Sequence, residues 1–236
     1  MRILALLVLV GCTDTGPDYP IITQGGAPPG GQGTTPTFII GRVCVLTDPR
    51  NFASCITVGA GSLTVTVGNQ VTTTAQDGSF TINVPTTGTG PGSAFTPTIT
   101  VTGVGIIPSS QTVSPNALVP VLREDLFSRI LAANGITLTP GSGSIMAAVV
   151  RGGVPVGGVT ATSTPSPAFG PFFDGTTPTA WTLDATGAQG IVFFPGFNVG
   201  GPVNLTFTDL ATSTETTVGG VQVINGGLTF VEGNLP

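Results

Sequence analysis

From Phe38 onward, apolar and polar positions alternate with a period of two. Ile39, Gly41, Val43 and Val45 fall on one face and Arg42 and Cys44 on the other; Leu63-Thr64-Val65-Thr66-Val67 repeats the pattern with Thr outward. A period of two places successive side chains on opposite sides of a strand. Residues 70–75 lead through Gln76-Asp77-Gly78 into Phe80, Ile82 and Val84, a strand, turn and strand in which Gly accepts the positive φ of the turn. Residues 98–104 predict a further strand and 106–113 one or two short ones, so that 38–116 reads as a small β-sandwich. A second run of strands follows at 144–151, 159–163, 180–184, 190–194, 203–209, 214–218, 221–224 and 228–232, predicting a second sandwich over 140–236.

Between them the period changes. Leu122, Leu126 and Ile130 are spaced by four, Phe127 and Leu131 widen the stripe, Pro120 suits a first helical position, and Asn134-Gly135 supplies a left-handed stop. One amphipathic helix is therefore expected within 117–139. Its polar face is neutral, whereas a helix lying on a membrane carries a basic one, so it reads as a spacer packed against a sandwich end.

The N-terminus has a different pattern. Met1-Arg2 precedes eight apolar residues, then Gly11 and Cys12. Eight helical residues span about 12 Å, well short of a hydrocarbon core of roughly 30 Å, and the order of charge, apolar run and small residue is that of a cleaved signal. Leu9-Val10-Gly11-Cys12 resembles the lipobox of bacterial lipoproteins. The resemblance implies a signal peptide over 1–11, diacylation of the Cys12 thiol, a membrane partner through that lipid and, with Thr13 next, sorting to the outer membrane. The other reading of the apolar run is a buried first strand. Residues 12–37, rich in Gly and Pro and without apolar periodicity, read as a tether.

With Cys12 set aside, Cys44 and Cys55 remain, eleven positions apart. In an exported chain such a pair reads as a disulfide, with two free thiols as the alternative. Closing a loop of this size is worth about 2–3 kcal/mol on the chain-entropy model.

The order of signals in the two sandwiches is similar. The first has Gly41-Arg42-Val43, residues 63–67, then Thr74, Asp77-Gly78 and Phe80. The second has Val154-Pro155-Val156-Gly157-Gly158-Val159 and Thr182-Leu183-Asp184-Ala185-Thr186-Gly187. This repeated pattern resembles the carboxypeptidase regulatory-like family, whose motifs run G-x-V, a Pro-Val-x-Gly-Ala phrase, then T-D-x-x-G-x-F. The first sandwich departs in carrying the Cys-bracketed loop 46–56 where the middle phrase is expected, and the second in an insertion over 165–178. The resemblance implies a transthyretin-like sandwich and no activity of its own. The expected fold is thus all-β: two small Ig-like or transthyretin-like sandwiches joined by one amphipathic helix.

Composition narrows the chemistry. Gly and Pro number 36 and 21, there is no Lys and no His, and six Arg stand against eleven Asp and Glu for a net charge of −5. His-based triads, His-ligated zinc, Lys Schiff bases and P-loop nucleotide sites each lack their central residue. Nothing basic is clustered to neutralise phosphates, so neither nucleic acid nor nucleotide is an expected partner. Carboxylates alone remain for acid–base work. Asp48, Asp77, Asp174, Asp184 and Asp209 fall at predicted turns or strand ends, where Asp satisfies backbone N–H groups, and no catalytic residue, metal or cofactor is expected. One aromatic group has a binding flavour: Phe169, Phe172 and Phe173 in the insertion, with Trp181 downstream. These rings either form an exposed surface for a glycan or an envelope protein, or fold down as a lid on the core. The expectation is a non-catalytic envelope lipoprotein, with a carbohydrate-binding or adhesive surface protein as the alternative.

Overall fold

Each half of the chain builds two facing sheets from short Val-, Ile- and Thr-rich strands. The computed structural model describes residues 36–236 apart from 53, 86–97 and 113–116. Cys12, the signal segment and the tether up to residue 35 lie outside the described residues. The first half runs β1 (Pro36–Leu46), β2 (Cys55–Ile56), β3 (Thr64–Val67), β4 (Gln70–Thr73), β5 (Ser79–Pro85), β6 (Thr98–Thr102), β7 (Ser109–Thr112) and β8 (Ala117–Val121). After α1 (Glu124–Ala133) come β9 (Gly143–Arg151), β10 (Val154–Pro155), β11 (Val159–Thr164), β12 (Phe172–Asp174), β13 (Trp181–Thr182), β14 (Ile191–Phe197), β15 (Val203–Asp209), β16 (Glu215–Val221) and β17 (Leu228–Asn234). The all-β class with a single helix is as the alternation predicts.

The two halves have the same pairing pattern. In the first, β1 pairs antiparallel with β5 and parallel with β8, while β6 pairs antiparallel with β3 and β7. In the second, β9 pairs antiparallel with β14 and parallel with β17, while β15 pairs antiparallel with β11 and β16. Six strands therefore correspond one to one. Each half closes a core between its sheets. Val43, Val45, Phe80 and Ile82 face Val65, Val67, Ile99 and Val101 in one; Ile145, Ala147, Val192 and Phe194 face Val159, Leu205 and Phe207 in the other.

A repeated side-chain device fixes the correspondence to the residue. Thr74 Oγ1 donates to the Ala60 carbonyl and accepts the Leu63 N–H (2.9 Å); Thr186 Oγ1 donates to the Val156 carbonyl and accepts the Val159 N–H, both at 2.9 Å. Four residues later, Gly78 and Gly190 both have positive φ, and their carbonyls accept the N–H groups of Val43 and Val149 at 2.8 and 2.7 Å. A Cβ at either glycine would run into the carbonyl oxygen of that same Val, so a side chain is shut out by space as well as by φ. These bonds correct two alignments made on the sequence. The counterpart of the Thr74–Gly78 turn is Thr186–Gly190, four residues beyond the look-alike beginning at Thr182. The same bonds make Ala60-Gly61-Ser62-Leu63, after the Cys loop, the counterpart of Val156-Gly157-Gly158-Val159.

The halves are joined more closely than by a spacer. β7 of the first pairs in parallel with β17 of the second, producing one ten-stranded sheet ordered β13-β12-β14-β9-β17-β7-β6-β3-β4, with β10 on β9. All described residues belong to one compact unit. In the second half this sheet is buried on both sides. Every residue of β14 is buried, with Val192 and Phe194 turned to the sandwich core and Ile191 and Phe193 to the opposite face. Burial on both faces yields a continuous apolar run instead of alternation.

That opposite face is covered by α1 through Leu126, Phe127 and Ile130, with Leu122 beside them. The helix starts later than its Pro suggests. Pro120 belongs to β8, opposite Cys44 of β1, because a proline before a helix also favours an extended residue ahead of it and is tolerated on a strand with an open edge. Glu124 and Asp125 occupy the first turn, where carboxylates suit the helix dipole, and Asn134 with Gly135 (φ +64°) ends the helix as expected.

Candidate functional site

Among the described residues the ionised groups are mostly engaged with one another. Each described Arg lies in an ion pair: Arg42 with Asp77, Arg50 with Asp48, Arg123 and Arg129 with Asp125, and Arg151 with Asp209. No group of three His, Cys, Asp or Glu gathers among them to hold a metal. Two buried carboxylates are explained by local structure. Asp174 accepts N–H groups from Gly187, Gln189 and Ile191 at 2.9–3.0 Å, stapling β12 to the Thr186–Gly190 turn. Burial pushes its pKa up against the pull of those N–H groups. Asp209 accepts from Arg151 Nη2 at 2.8 Å and from Ala211 and Thr212, and these bonds hold its carboxyl down at about 2. Arg151 Nε also reaches the Pro236 carbonyl at 2.9 Å, so this pair ties β9, β15 and the last residue together.

The aromatic group does not form the exposed surface considered on sequence. Phe173 and Trp181 are buried, Phe169 and Phe172 half-buried, and the insertion contains strand β12 rather than an open loop. Phe173 enters the second sandwich core, while Phe169, Phe172 and Trp181 join the layer under α1. Trp181 sits on Phe193 with ring centroids 5.7 Å apart, its Nε1–H donates to the Pro178 carbonyl, and Phe127 of α1 meets Phe193 edge-on from the other direction. A large ring with a paired N–H is worth more buried than wet, which is why these residues close the core. Asn134 holds the helix end to this segment by donating to the carbonyls of Ile130 and Thr179.

The structure brings together a set of residues that sequence reasoning did not single out. Cys44 and Cys55 form the expected disulfide. The loop it closes lies over the second sandwich: Arg50, held by a two-toothed contact with Asp48, donates from Nη1 to the Gly175 carbonyl at 2.8 Å, 125 positions away. Phe52 meets Phe230 of β17 edge-on, with centroids 5.2 Å apart, and Leu46, Phe52 and Cys55 share the layer that α1 completes. Beside this loop a groove of ≈ 660 Å³ opens where β7 ends; Phe52, Gln111, Leu118, Gln222, Phe230 and Glu232 are among its walls. Nothing in the sequence marked Arg50 or Phe52, because their partners are distant in the chain and neither belongs to a motif.

The fold and the site together define a class: an all-β protein of two like sandwiches sharing a sheet, with a disulfide loop at the junction. No protein-family model matches the chain, and no curated protein matches it. Solved structures with partial similarity include the shaft pilin SpaA from Lactobacillus rhamnosus GG, 10% identical, covering 86% of this chain and 98% of that one at a TM-score of 0.27. The group B streptococcus pilus 2b backbone protein is 15% identical over 76% of this chain and 83% of that one, at a TM-score of 0.25.

Proposed function

We propose that the chain is a non-catalytic lipoprotein of the bacterial cell envelope, anchored through Cys12 and presenting its paired sandwiches as a structural or binding module. The lipobox Leu9-Val10-Gly11-Cys12 carries this reading. Three features support it. The Gly- and Pro-rich stretch after Cys12 has the composition of a tether. The Cys44–Cys55 bridge suits an oxidising compartment. Of the described carboxylates, Asp48, Asp77, Asp125 and Asp209 are held in ion pairs and Asp174 by the N–H groups of a turn. Among the described residues no helix is long and apolar enough to cross a membrane, so attachment in this reading falls to the lipid. The partners are the membrane itself and an envelope protein or glycan, and the outer membrane is the expected address.

The sandwiches are read as carboxypeptidase regulatory-like modules, supported by the repeated Thr and Gly turn and the matched strand order. The aromatic-surface alternative loses its main support, since Phe173 and Trp181 are turned into the core. Metabolic labelling with a palmitate analogue tests the proposal. Wild-type chain should be tagged and a Cys12→Ala variant should not; equal tagging of both, or of neither, contradicts it.

A further inference from the structure

We propose that the disulfide-closed loop over residues 46–56 is a redox-sensitive clasp that couples the two sandwiches. The shared sheet is narrow at the junction: among the described residues three pairs, Leu228↔Ser109, Thr229↔Ser110 and Phe230↔Gln111, join β17 to β7. The side-chain contact there is a hydroxyl pair, Ser110 with Thr229 at 3.0 Å. Apolar burial is what makes neighbouring units unfold together, and here it lies in one layer in which Leu46 and Leu122 pack with Met146, Leu228 and Phe230. The clasp extends that layer from outside. Phe52 covers the Phe230 ring, and Arg50 reaches across to the Gly175 carbonyl next to β12. Both residues lie in a loop whose two ends are fixed by Cys44 on β1 and Cys55 on β2. The bridge thus restricts the loop to conformations in which its tip can meet the second sandwich, lowering the entropy lost on docking.

The bridge is asymmetric. Cys44 is 1% exposed, whereas Cys55 is half-buried. In this proposal a dithiol reductant attacks the sulfur of Cys55, the more exposed residue of the two. Its thiolate bonds to Cys55 Sγ and the S–S bond breaks, with Cys44 leaving as the thiolate that takes up a proton. The second thiol of the reductant then displaces Cys55. Two electrons reduce the bridge to two thiols, and the reductant becomes a disulfide. The freed loop regains the conformations that the bridge denied it, Phe52 and Arg50 leave their partners, and the sandwiches remain joined by α1, the β7–β17 pairs and the rest of the apolar layer.

Amide hydrogen exchange on the full chain, oxidised and after dithiothreitol, tests this, with Arg50→Ala and the Cys44→Ser/Cys55→Ser pair as variants. Reduction should speed exchange in β17 at Leu228, Thr229 and Phe230 by about tenfold or more, while the central strands β6 and β15 stay within about twofold of the oxidised protein. Arg50→Ala, which keeps the bridge, should shift the same β17 amides in the same direction. Unchanged β17 exchange in both cases overturns the proposal. Equal acceleration in β6 also overturns it, because the bridge would then be holding the first sandwich rather than the junction. Should the double Ser variant not fold, reduction of the folded oxidised chain and Arg50→Ala still decide the question.

Discussion

A threonine hydroxyl that joins two backbone groups behind a turn does more for this chain than its polarity suggests. Thr186 is 5% exposed, and its Oγ1 satisfies one half-buried carbonyl and one buried N–H. Thr186→Val keeps the shape and removes both bonds, leaving the Val159 N–H and the Val156 carbonyl without their partner. The expected cost is about 1–3 kcal/mol, read as a lower urea midpoint with unchanged slope, and Thr74→Val should behave alike in the first sandwich. Asp209 makes a prediction with a sign. Arg151 first, then the Ala211 N–H and the Thr212 hydroxyl, favour its ionised form, so its carboxyl sits at about 2 in the fold against 3.8 ordinarily. The stabilisation is complete above the ordinary value and disappears as pH falls through about 2. Urea midpoints measured from pH 5 downward should therefore fall less steeply for Asp209→Asn than for the wild type; parallel curves would show that the pair contributes nothing. Sequence placed Asp209 correctly at a strand end, but its partner Arg151 lies 58 positions away and no local pattern could supply it.

At the scale of elements, the informative strands are those with no alternation. β14 reads Ile-Val-Phe-Phe-Pro-Gly-Phe, buried throughout, because a sandwich sheet lies on one side and α1 with the clasp on the other. Phe193→Ala removes the ring on which Trp181 and Phe127 both rest, at an expected cost of about 3–5 kcal/mol by chemical denaturation. Quenching of Trp181 emission should change with it, whereas a surface change such as Thr81→Ala should leave both readings near wild type. Period-two runs such as Leu63 to Val67 were legible because one face is wet. β12 was not: Phe172 and Phe173 lie among Pro and Gly, which read as loop, and their strand state comes from pairing with β14. The strand expected at 214–218 runs on as β16 to Val221 across a register shift that Gly219-Gly220 permits, and residues 222–224, expected as a separate strand, are not strand. The helix was legible in its stripe and its stop but not in its start, since Pro120 serves a strand as well as a helix.

For the whole molecule, duplication explains both the organisation and the limits of reading it. Two sandwiches were visible because each repeats Gly, Thr and Val at matched points, and the disulfide was visible as the even pair of Cys left in a chain read as exported. The register of the repeat was not, because Thr182-Leu183-Asp184 imitates the motif while the hydroxyl that forms the bonds belongs to Thr186. The shared sheet was also hidden, since the partnership of β7 with β17 crosses well over a hundred residues and leaves no mark in either strand. What results is a surface with few charges, most of them paired, built from Thr-covered sheets around cores that have absorbed the aromatic rings. The proposed lipid attachment at Cys12 is the central claim. Mass spectrometry of the N-terminal peptide from membrane-extracted chain tests that claim most directly. The account predicts a chain beginning at Cys12 with the mass of a diacylglyceryl group on its sulfur; a peptide reading through from Leu9 to Thr13 with an unmodified Cys12 would contradict it.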